Sequence, residues 1–95
     1  MLWQLLAILD KATGSTVGPI ITVRHQIEAT RAFLQLCLDP QTNIGKNAED
    51  FALYLIGHYD DSTMELQPLH PAIVITAQEA IQVARRAKEE HTNVA

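Results

Sequence analysis

Residues 50–61, DFALYLIGHYDD, decide the fold. From Phe51 to Tyr59 the chain alternates, Phe51, Leu53, Leu55 and Tyr59 to one side and Ala52, Tyr54, Ile56 and His58 to the other, which is the two-residue period of a β-strand. Gly57 breaks the first row, and a glycine inside a strand marks a bulge or the close approach of another backbone. Asp60, Asp61, Ser62 and Thr63 carry short polar side chains that bond their own backbone in turns. Met64 and Leu66, alternating with Glu65 and Gln67, then read as the returning strand. The segment is a hairpin with two carboxylates at its tip, and these are either a site or a turn.

Towards the C-terminus, Pro68 and Pro71 are expected to interrupt the return, leaving Ala72–Ile75 as a separate apolar strand. Thr76 and Glu79 match a capping box and predict a second helix. Ala77, Ala80, Ile81, Ala84 and Ala87 line its inner side, and residues 91–95 form a frayed tail. Towards the N-terminus, residues 41–50 read as a loop, and Asp39-Pro40 ends a helix that starts near His25. On that helix Ile27, Leu34, Cys37 and Leu38 share one wide arc flanked by Phe33, with Arg24–Glu28 and Glu28–Arg31 at ion-pair spacings. Residues 11–19, KATGSTVGP, suggest a mobile loop before a short strand at Ile20–Val23. Residues 2–9 read as a central strand covered on both faces. The expectation is one α+β domain over residues 1–95, a small, mainly antiparallel sheet with two helices packed on it. No internal repeat stands out.

Composition narrows the function. The 95 residues are 47% apolar, enough for one core. Seven Lys and Arg against eleven Asp and Glu give a net charge of −4, the wrong sign for coating nucleic acid nonspecifically. A lone cysteine, Cys37, forms no internal disulfide and fits a reducing cytosol. The apolar opening MLWQLLAILD reaches Asp10 after nine residues, too few to cross a bilayer as a helix.

The reactive residues are read conservatively. Asp60 and Asp61 lack the loop spacing of a calcium site and read as turn residues. The four histidines have no metal-binding spacing, and His58 reads as structural, with a small hydrolase using it as a lesser alternative. Cys37 belongs to the core. NIGKN lacks the spacing of a phosphate-binding loop. No catalytic residue, metal or cofactor is expected. A nucleic-acid surface, if one exists, would be built on Arg24, Arg31 and Lys46.

ATRAFL at 29–34, DPQT at 39–42, EDFALYLIGHYDDST at 49–63, then P-L at 68–69 and P-A at 71–72, resemble the small non-structural protein of gokushoviruses, single-stranded DNA bacteriophages of the microvirus group. That family often has glycine where this chain has Met64. The resemblance implies a non-enzymatic protein of the host cytoplasm, absent from the virion, acting in genome replication or packaging. Its partners would be a phage or host replication protein, or single-stranded DNA bound directly. Apolar strand edges further suggest a homodimer formed by sheet pairing.

Overall fold

A computed structural model describes residues 1–93. The elements are β1 (Leu2–Asp10), β2 (Ser15–Val23), α1 (Gln26–Leu38), α2 (Asn43–Lys46), a 3-10 turn (Ala48–Asp50), β3 (Phe51–Asp60), β4 (Glu65–Thr76) and α3 (Ala77–Asn93). The strands form one antiparallel sheet in the order β2-β1-β3-β4. The class is α+β, as the alternation predicts. The helices do not form a simple pair on the sheet, because α2 and the 3-10 turn fill the connection between α1 and β3. α3 in turn lies chiefly against α1 and that turn.

Contrary to the sequence reading, the architecture repeats: strand, strand, helix, then strand, strand, helix. The sequence echo is confined to the tips, Asp10-Lys11-Ala12-Thr13 and Asp60-Asp61-Ser62-Thr63. Asp10 Oδ1 accepts from Ala12 N at 3.0 Å and Asp60 Oδ1 from Ser62 N at 3.0 Å. Gly14 N donates to Asp10 O and Met64 N to Asp60 O, both at 2.8 Å. Positions 14 and 64 both close the turn with positive φ, 74° and 63°.

Several boundaries move. The mobile loop expected at residues 11–19 is a four-residue turn followed by strand, because Thr16, Val17 and the β-branched run beyond Gly18-Pro19 pair with β1. The register slips between Leu6 and Ile8, so Gly18-Pro19-Ile20 form a bulge. Pro68 and Pro71 do not end β4, which continues at the sheet edge where a missing N–H faces outward at no cost, but they do interrupt its ladder as expected, since pairing with β3 slips between Pro68 and Ala72. Ile56 is bulged out of β3, so the parity of the strand flips there. His58 pairs with Gln4 on the helix side, and Tyr59 pairs with Trp3 on the opposite side.

The core lies between the sheet and the helices. Leu6, Ile8, Phe51 and Leu53 meet Ala29, Phe33 and Cys37 of α1, Ile44 of α2, and Ala77 and Ala80 of α3. On α1 the buried line is Ala29-Phe33-Cys37, spaced by four, while Ile27 and Leu38 from the predicted arc are about half exposed. Arg24 precedes the helix, so the helical spacing to Glu28 does not exist. Ala87, expected on the inner side, is exposed, and the helix carries on to Asn93 through most of the expected tail; residues 94 and 95 lie outside the described residues. The Thr76 half of the predicted capping box forms, its hydroxyl accepting from Glu79 N at 3.0 Å, while the Glu79 carboxylate accepts from the Thr76 hydroxyl at 3.0 Å in place of the expected backbone N–H.

Residues 41–50 are ordered by Thr42, whose hydroxyl meets Leu36 O at 2.7 Å and accepts from Gly45 N at 2.9 Å. Gly45 is required sterically, since a Cβ there would collide with the Asp39 carbonyl.

Candidate functional site

Both carboxylates of the central turn are committed to structure. Asp60 Oδ1 accepts from the hydroxyl and the N–H of Ser62, at 2.6 and 3.0 Å. Asp61 accepts from the chain's amino group at 2.8 Å and from Trp3 Nε1 at 2.8 Å, while its own N–H donates to Met1 O at 3.1 Å. The start of β1 is thereby tied to the β3–β4 turn. The Ser62 hydroxyl holds the Asp60 carboxyl below its usual range, and the amino group, followed by Trp3, does the same for Asp61. Arg24 completes this corner, its guanidinium 5.2 Å from the centre of the Trp3 ring and its carbonyl accepting from Gln4 Nε2 at 3.3 Å.

Among the described residues no three His, Cys, Asp or Glu side chains converge as metal ligands would. His58 no longer shares a face with Tyr54, because the Ile56 bulge turns it towards the helix side between Gln4 and Gln67. Cys37 is 3% exposed, and burial pushes its thiol up to about 11. Of the three candidate cations, Arg24 lies in the bend after β2, Arg31 is exposed midway along α1, and Lys46 ends α2. α1 is about 20 Å long, so Arg24 and Lys46 belong to its opposite ends, and no hydrogen bond joins the three.

What the sequence reading missed is the other face of the sheet. All helices pack on one side, so the side carrying Trp3, Leu5, Leu9, Tyr54, Tyr59 and Ile73 is left uncovered. Ala7, Ala52 and Gly57 form low points between these larger groups, and a shallow cleft of about 190 Å³ opens there, lined by Ala7, Leu9, Thr16, Tyr54, Ile56 and Pro71. No paired position on this face carries a charged side chain. The signal was present, since β1 is apolar on both sides. Apolar alternation, however, does not distinguish a face covered by the chain's own helices from one left open.

Among the described residues no helix is long and apolar enough to cross a membrane. No curated protein and no solved structure matches the chain. One family model does match, over residues 3–80, and that stretch holds β2, β3, β4, α1, all of β1 but Leu2, and the start of α3 with its buried Ala77 and Ala80. The chain therefore belongs to the Phage ORF5 protein family.

Proposed function

We propose that this chain is a non-enzymatic accessory protein of a gokushovirus-like single-stranded DNA phage, working in the host cytoplasm during genome replication or packaging by binding another protein. The observation that carries this reading is the combination of a phage-family match with a large uncharged sheet face. Apolar surface of that kind is kept at binding sites. The carboxylates that could have served chemistry are instead engaged in tying turns. Co-purification of a tagged chain from infected cells, followed by mass spectrometry, tests the proposal. A replication or packaging protein retained by the wild type and lost on Tyr54→Glu is the expected result. A partner retained equally by both proteins would refute use of this face.

Direct binding of single-stranded DNA is the second reading, and the Arg24–Trp3 stack favours it, since a cation beside a partly exposed aromatic ring suits a phosphate next to a stacked base. It predicts affinity that falls steeply with salt and weakens on Arg24→Glu, Arg31→Glu or Lys46→Glu. Filter binding with an oligonucleotide decides, and affinity indifferent to salt and to all three changes would eliminate this surface.

A further inference from the structure

We infer that the uncovered sheet face docks against the same face of a second copy of this chain, giving a four-layer helix–sheet–sheet–helix dimer. A second copy would occupy the face that the proposed function offers to a replication or packaging protein, so the two compete for it; the inference rests on surface area, charge and the state of the sheet edges, and its test uses the purified chain alone.

The area argument is quantitative. The chain exposes 6529 Å², about 1,100 Å² more than the ~5,400 Å² that surface scaling gives for a folded monomer of this mass. Its radius of gyration is 14.9 Å, against about 12.4 Å for a compact domain of this length. The open face itself, four strands about 4.8 Å apart and about 30 Å long, presents roughly 600 Å². Stacking two such faces hides about 1,200 Å², the lower bound of specific protein interfaces.

Charge selects the occupant. A nucleic acid needs cations where it lies, yet the paired positions of this face are uncharged, and Arg24 stands at one corner beside Asp61. An identical apolar face is complementary to it, and sheets stack face to face at about 10 Å with their side chains interdigitated. The low points at Ala7 and Gly57 accept projecting groups such as Ile73, itself 54% exposed.

Edge-to-edge pairing is disfavoured by the same structure. β2 is bulged at Gly18-Pro19, and β4 carries Pro68 and Pro71, so both edges are interrupted by residues that cannot extend a ladder.

Sedimentation velocity of the full chain from 1 to 100 µM, read beside the emission of its single tryptophan, Trp3, provides the test. The expected result is a concentration-dependent dimer with a blue shift of Trp3 emission, weakened at least 100-fold by Tyr54→Glu with the circular dichroism spectrum retained. Val83→Glu, on the exposed side of α3, should leave the dimer unchanged. If Tyr54→Glu unfolds the chain, Ile73→Lys at the rim should still weaken the dimer at least tenfold. A wild type monomeric at 100 µM, or a dimer indifferent to whichever of these face substitutions folds, would overturn the inference.

Discussion

Replacing Met64 by glycine should stabilise the protein. Met64 is the one described non-glycine residue with positive φ, 63°, and it holds the place in the second hairpin that Gly14, φ 74°, holds in the first. An L-residue in the left-handed region costs about 1–2 kcal/mol, and glycine removes that cost while adding about 0.5–1 kcal/mol of unfolded-state entropy to be overcome. The Met64 side chain is 80% exposed, so little burial is lost. The net gain is about 0.5–1 kcal/mol, or a rise in Tm of roughly 2–8 °C for a domain of this size. Gly14→Ala should lower Tm by a similar amount. A Cβ at position 14 meets nothing within 4 Å, so that loss isolates the backbone term. The two turns lie at opposite ends of the sheet, so the effects should add. Thermal unfolding by circular dichroism at one fixed protein concentration reads all of these. A Met64→Gly variant less stable than wild type, or a Gly14→Ala variant unaffected, would refute both the strain and the equivalence of the turns.

Gly57→Ala should cost about 1–3 kcal/mol, because its Cβ would stand 2.9 Å from Gln67 O in the neighbouring strand; urea unfolding measures it. The Cys37 thiol should react with a thiol reagent only as fast as the chain opens. Since its folded value, about 11, exceeds the unfolded 9.0, the stability it carries is full below pH 9 and lost as pH rises through about 11, a decline that Cys37→Ala should remove from an alkaline stability profile. Asp61 runs the other way: its folded value is depressed by the amino group and Trp3, so its contribution is present above the unfolded value of 3.8 and fades as pH falls through the lower folded value. Asp61→Asn should flatten that acid limb in a pH series of melting curves.

The sequence by itself determined the local chemistry. Short-range rules reach the acidic turn, the Thr76 cap and the proline that ends α1, because each acts over a few residues through hydrogen bonds or φ limits. They also anticipated that Gly57 sits at a bulge and under a neighbouring backbone. The same rules foresaw the slipped ladder at Pro68 and Pro71 but not the strand that continues through them, and they misjudged Gly18-Pro19, because tolerance of such residues depends on lying at a sheet edge, and edge position is not a local property. Which faces the side chains take beyond Ile56 was likewise decided by the ladder, where one bulged residue reverses the parity and moves His58 to one side and Tyr59 to the other. Only the tertiary structure put both ββα units' helices on a single face. It thereby left Trp3, Tyr54 and Tyr59 uncovered, because which side of a two-faced apolar strand becomes interior depends on where the rest of the chain packs, and that packing has no record in the strand's own residues.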